Sequence, residues 1–203
     1  MPSQTQISRT PSQARDLWQS PPEFVHYAKH ILQYDFTIDL AASSKNKVAD
    51  AYFSEKQNSL RRVWHKSHET GWCNPPYSNT GLWLKKGYEE SLQGFKSVFF
   101  VPTPNGESYY GDYVFGKAAR IVYVTGRVAF IAAETFWQVN KDGTRKLIKK
   151  GQRVNGNTRG SCYIIYDEEY RQQHGQACFT PDNISKQEIM KIYQAHQLLE
   201  KVA

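Results

Sequence analysis

The chain has 203 residues, with 26 Lys and Arg against 19 Asp and Glu for a formal charge of +7. At 39% hydrophobic and 14% aromatic it has enough apolar material for one buried core. No apolar run approaches the roughly 20 residues of a membrane span, and the opening "MPSQTQISRTPSQAR" lacks the apolar block of a secretory signal, so a cytoplasmic location is expected.

In chain order, residues 1–14 are rich in Ser, Gln, Thr and Pro and are expected to form a disordered tail. "PEFVHYAKHIL" from Pro22 reads as a helix with Phe24, Ala28, Ile31 and Leu32 on one face. Phe36, Ile38 and Leu40 alternate as in a short strand, and Ala51–Phe53 suggests a further edge strand. "GLWLKKGYEESLQ" reads as a helix, and "SVFFV", "ARIVYV" and "CYIIY" as buried strands. The tail "SKQEIMKIYQAHQLLEKVA" opens with Ser185 and Glu188 in capping-box spacing, with Ile189, Ile192, Tyr193 and Leu199 as its apolar face. Strands alternating with helices predict a three-layer α/β domain around a mostly parallel sheet. The expected division is a catalytic domain over 15–180 and a C-terminal helix over 181–203.

Three cysteines, Cys73, Cys162 and Cys178, without a CxxC pair argue against a disulfide framework and a cysteine zinc site. His26 and His30 have a metal-binding spacing, but with only His65 and His68 as further partners they read as surface or packing residues. No metal is expected.

The charge is uneven. Residues 141–159, "KDGTRKLIKKGQRVNGNTR", hold seven Lys or Arg against one Asp. Such a Gly- and Asn-rich basic stretch reads as a loop or hairpin facing a polyanion; a solvated surface loop is the alternative.

"CNPPYSN", Cys73–Asn79, is the most unusual stretch. Two prolines forbid a continuing helix or central strand and make a rigid corner. A nucleobase amine is a poor nucleophile because its lone pair is delocalised into the ring. Acceptors for both amino hydrogens would favour the pyramidal, nucleophilic nitrogen. The Asn74 side-chain oxygen and the Pro75 carbonyl could be those acceptors, with Pro76 fixing their angle and Tyr77 offering a face to an extruded base. Asp39-Leu40-Ala41-Ala42-Ser43 follows another candidate strand, where an acidic residue before small ones lets a cofactor approach. Tyr109 and Tyr110 are candidates for a base pocket, with core packing an equally good account.

The ordered set "DLWQSPPEFVHYAKHILQYDFTIDLAAS", "GWCNPPYSN", "VFFVPTPN", "VTGRVAF" and "GSCYIIY" resembles the phage-type DNA adenine-N6 methyltransferase family. The resemblance implies a Rossmann-like S-adenosylmethionine-dependent fold, adenine-N6 transfer in double-stranded DNA, and a phage or prophage source. It implies catalytic Asn74, Pro75, Pro76 and Tyr77, and a cofactor site of Trp18, Ser20, Pro21, Asp39, Ala41, Ser43 and Asn58. DNA contacts are expected from Arg127, Arg145, Lys146, Lys149, Lys150, Arg153 and Arg159, with a short palindrome such as GATC the first target to try. A glutamine-N5 protein methyltransferase sharing the tetrapeptide, and an inactive DNA-binding relative, are the alternatives.

Overall fold

Alternation along the central strands decides the layers. Val98, Phe100, Tyr163 and Ile165 enter one core, while Phe99, Val101, Cys162, Ile164 and Tyr166 enter another, as successive side chains on a strand must. The structure is a computed structural model, and it describes residues 10–140, 142–155, 157–174 and 182–201.

The chain runs through α1 (Ser12–Asp16), α2 (Pro22–His26), β1 (Ile38–Asp39), β2 (Ala51–Tyr52), β3 (Thr70–Cys73), α3 (Thr80–Ser91), β4 (Lys96–Pro102) and α4 (Ser108–Tyr113). It continues through β5 (Arg120–Thr125), β6 (Phe130–Ile131), β7 (Phe136–Val139), β8 (Arg145–Ile148), β9 (Arg153–Val154), β10 (Ser161–Tyr166), α5 (Glu168–His174), β11 (Asp182–Ser185) and α6 (Lys186–Glu200). A π-helical turn, Tyr27–Ile31, extends α2.

Seven strands form the main sheet in the order β2-β1-β3-β4-β10-β5-β11. All neighbours are parallel except β10, which runs antiparallel between β4 and β5. Phe24, Val25 and Ile189 from α2 and α6 cover one face, and Trp83, Leu84 and Tyr110 from α3 and α4 cover the other. This is the expected three-layer arrangement. Each fully buried Phe of β4 contributes about 1.5–3 kcal/mol. Gly87 lets α3 press onto the sheet, because a Cβ there would lie 2.4 Å from the Phe99 ring.

Between β5 and β10 the chain leaves the sheet as a long excursion. β6 pairs with β9 at its base, and β7 with β8 further out, both antiparallel. The basic segment is therefore the returning half of a hairpin, whose inner residues Phe130, Ile148 and Val154 join the first core.

Three expectations change. The tail expected over 1–14 carries a helical turn from Ser12, with Ala14 buried. The boundary expected at 180 lies outside the described residues; the stretch expected as a C-terminal helix carries β11, which pairs in parallel with β5, before α6 begins. Leu199, expected on an apolar face, is instead 71% exposed, and Ile189 is the buried residue of α6. Among the described residues no helix is long and apolar enough to cross a membrane.

Candidate active site

β1 and β3 are parallel neighbours, so the loops after Asp39 and after Cys73 emerge at the same carboxyl edge of the sheet, the edge where open α/β sheets take ligands. Behind Cys73 the two prolines stop the ladder. Tyr77–Asn79 form a single 3-10 turn, and α3 starts at Thr80. The turn is pinned along its length. Asp16 accepts the Ser78 N–H at 2.9 Å, Pro76 accepts the Asn79 N–H at 3.1 Å, and the Thr80 hydroxyl donates to the Tyr77 carbonyl at 3.1 Å.

The Asn74 amide is oriented from 56 residues away. Its Nδ2 donates to the Trp18 carbonyl at 2.8 Å. That leaves Oδ1, which is buried and has no hydrogen-bond partner among the described residues. A buried acceptor without a donor costs about 1–3 kcal/mol, so it marks a place where a donor belongs. It lies beside a recess lined by Trp18, Gln19, Ser20, Asp39, Ala41, Asn46, Val48, Trp72 and Asn74. Trp18 Nε1 and Ser20 Oγ are also buried there without a partner among the described residues.

Asp39 shapes this recess from below. Its two oxygens accept the backbone N–H groups of Ala41 at 3.2 Å and Val48 at 3.1 Å, which folds the 41–48 loop back over the strand end. Burial pushes the carboxyl up to about 6, and those two N–H bonds pull the other way. Ser43 does not line the recess; its N–H and hydroxyl donate to Asn46 Oδ1 at 2.6 and 2.7 Å and so place Asn46, which does. Pro21 is the N-cap of α2 and does not line the recess. Asn58, expected near the cofactor, is exposed in a left-handed turn (φ 48°) and is not brought to the recess.

Trp18 is both a wall of the recess and a core aromatic. It stacks on Phe130 with ring centres 5.2 Å apart, and Tyr77 meets both rings edge-on at 5.8 and 5.9 Å. Tyr77 is half-buried as a residue, but its hydroxyl is fully enclosed, which drives its acidity far below the ordinary phenol. A second, wider recess begins at Tyr77 and is bordered by Thr80, Gly81, Leu82, Tyr109 and Tyr113. Tyr110, by contrast, is core, its hydroxyl donating to the Pro102 carbonyl.

The seven expected DNA cations divide sharply. Both arms of the Arg153 guanidinium grip Glu23, at 2.7 and 3.0 Å, and Glu23 is buried in α2. Arg159 holds Glu107 at 2.6 Å and the Thr103 carbonyl at 2.8 Å. Their forks are filled, so neither is free to grip a guanine in this structure. Arg145, Lys146, Lys149 and Lys150 lie exposed on the hairpin and form no ion pair among the described residues; Arg127 is exposed beside Gly126, whose φ of 93° makes the turn. Gln19 exchanges both backbone bonds with Ile131, at 3.0 and 3.1 Å, so the hairpin base is laced to the wall of the recess.

Asp16, Gln19, Asn46 and Val48 were not singled out from the sequence. Asp16 and Asn46 act through turn geometry, and Gln19 through its backbone, so residue type alone carried no signal for them.

A mostly parallel sheet, a recess at the carboxyl edge of β1 and β3, and a rigid Asn-Pro-Pro-Tyr corner together define a Rossmann-like methyltransferase fold. The chain belongs to the DNA N-6-adenine-methyltransferase (Dam) family, which matches it over residues 7–194. It is 30% identical over 187 residues to the DNA N-6-adenine-methyltransferase of Escherichia phage T1, covering 82% of this chain and 71% of that protein. It is 28% identical over 142 residues to the DNA N-6-adenine-methyltransferase of Haemophilus phage HP1 (strain HP1c1), covering 70% and 81%. No solved structure matches it significantly.

Proposed function

We propose that this chain transfers a methyl group from S-adenosylmethionine to the N6 amino group of adenine in double-stranded DNA, with the base turned out of the helix to the Asn74–Tyr77 corner. The observation that carries this reading is the Asn74 amide, held by Trp18 through its NH₂, with its oxygen buried and unpartnered among the described residues. A donor must fill that position, and an amino N–H is one.

The cofactor fits the residues present. Trp18 Nε1 and Ser20 Oγ are buried polar atoms without partners in the recess, and Asp39 supplies the acidic character that a cationic ligand favours. Trp18, Ser20, Ala41, Asn46 and Val48 would hold it. When bound, it supplies an electrophilic methyl on a sulfonium. Asn74 Oδ1 and the Pro75 carbonyl accept the two amino hydrogens and hold the nitrogen lone pair towards the recess; the rigid prolines keep these acceptors in place before the reaction begins. No general base is required, because the methylated amine is acidic enough to lose its proton to water. Tyr77 and Tyr109 offer aromatic surface to the flipped base. The exposed cations of β8 and the turn after it meet the phosphates.

The test is incubation of duplex DNA containing GATC and other short palindromes with methyl-labelled cofactor, followed by nucleoside analysis. Labelled N6-methyladenine is the expected product. Label on protein alone, or on no base, would overturn the reading.

A further inference from the structure

Far along the chain from the corner, three imidazoles meet. His26 closes α2, His30 lies in the π-helical turn that follows, and His196 comes from α6. Their ring centres are 4.3 Å (His26–His30), 4.5 Å (His26–His196) and 4.9 Å (His30–His196) apart. One nitrogen from each lies within 4.8 Å of the others. We propose that this trio binds a divalent transition-metal ion of the zinc type, which clamps α6 to α2.

Several features favour an ion over plain packing. Both nitrogens of His26 and Nδ1 of His196 are buried with no hydrogen-bond partner among the described residues. Two of the three rings therefore hold buried nitrogens that no described group satisfies, since an imidazole N–H needs an acceptor and its bare nitrogen a donor. A metal ion answers every unfilled lone pair at once.

The geometry is close to what coordination demands. Zinc–nitrogen bonds of about 2.0–2.1 Å set the nitrogens of a tetrahedral site about 3.4 Å apart. Closing from the present spacing asks each ring to move by on the order of 1 Å or less. His30 is exposed and free to swing, and the π turn is the kind of helical irregularity that often accompanies a functional site. Glu200, one turn beyond His196, has its carboxylate 3.6 Å from His196 Nδ1 and is within reach as a fourth ligand or as the group that orients that ring. Imidazole ligands suit zinc, nickel or copper and disfavour magnesium and calcium. The other two histidines that the sequence offered as partners are occupied elsewhere: His65 contacts Glu90 at 2.7 Å, and His68 packs edge-on to Phe53. His196 was overlooked because it lies 166 positions beyond His30 in the chain.

The experiment uses the full chain without a polyhistidine tag. Zn²⁺ alone is titrated by calorimetry and by thermal melting, and Co²⁺ is added in parallel for its visible absorption. The expected results are one equivalent bound per chain, a higher melting temperature with Zn²⁺, and the intense absorption of tetrahedral Co²⁺. His30→Ala removes an exposed ligand without touching the core and should weaken binding by at least about a hundredfold; His196→Ala should do the same. Glu200→Gln should weaken it by about tenfold. Absence of stoichiometric binding, or an unchanged titration and melting shift in His30→Ala, would overturn the proposal.

Discussion

The corner at Asn74–Tyr77 and the hairpin between Phe136 and Ile148 handle polar groups in opposite ways. At the corner the backbone is over-determined by Asp16, Pro76 and Thr80, and the buried oxygens of Asn74 and Tyr77 are left without a partner among the described residues. On the hairpin the cations project into solvent, while the arginines nearest the body, Arg153 and Arg159, are tied down by carboxylates. Unsatisfied groups inside a rigid frame are suited to chemistry, and unpaired charges on an exposed ribbon are suited to a polyanion. The same residue type therefore serves structure or recognition according to whether a buried acid stands beside it.

The sharpest way to break this contrast is Asn74→Ala, which removes the unpartnered acceptor. Turnover should fall by about two to three orders of magnitude with cofactor affinity nearly unchanged. Near-normal methyl transfer by the folded variant would empty the corner of its catalytic meaning.

Asp39 tests the buried side by pH. Its folded value of about 6 lies above the 3.8 of an ordinary carboxyl. The folded protein thus holds this proton more tightly, and the contribution favours folding fully below about pH 4 and is lost as pH rises through 6. Relative to Asp39→Asn, the wild type should lose roughly 2–3 kcal/mol of stability over that interval, read from urea midpoints at each pH. A pH-independent difference would return Asp39 to a solvated turn.

Arg153→Ala comes next. It strands the Glu23 carboxylate in the core, and because Arg153 is partly exposed the cost should be about 1–3 kcal/mol of stability. Base preference should be unaffected. If binding to single-base-substituted duplexes changed instead, with stability intact, the arginine would belong to the recognition side.

The smallest effect is expected for Lys149 and Lys150 changed together to Ala. Affinity for specific and unrelated duplexes should drop by similar factors, and the salt slope of log affinity should flatten by about one to two units. Arg145→Ala, the one arginine of the basic segment with an open fork, should relax preference at one base pair by about 1–3 kcal/mol. Wild-type affinity and slope in all of these would make the hairpin a solvated loop.

Much of the scaffold was legible because strands such as Ser97–Val101 and Cys162–Tyr166 are continuous apolar runs, and the Asn-Pro-Pro-Tyr corner is chemically unusual wherever it occurs. Trp18, Ser20, Asp39 and Ala41, grouped from the sequence, all line one recess. What stayed hidden was pairing at a distance. Nothing in "RVNG" says that Arg153 will find Glu23, 130 residues earlier. Strand β11 was missed for another reason: "DNIS" has a single apolar residue, and only its place at the sheet edge beside β5 makes it a strand.

The antiparallel strand β10 has a consequence for how the chain can vary in length. It is locked on both sides, with Tyr163 opposite Phe100 on β4 and Val122 on β5. Adding or deleting one residue just before Ser161 would slip this register and turn the strand's whole alternation inside out, exchanging Tyr163 and Ile165 with Cys162 and Ile164 between the two cores. The turn between Val139 and Arg145 has no such obligation; it joins two paired strands at an exposed tip. Insertions, grafted epitopes or reporter tags should therefore be accommodated at that tip and rejected at the foot of β10.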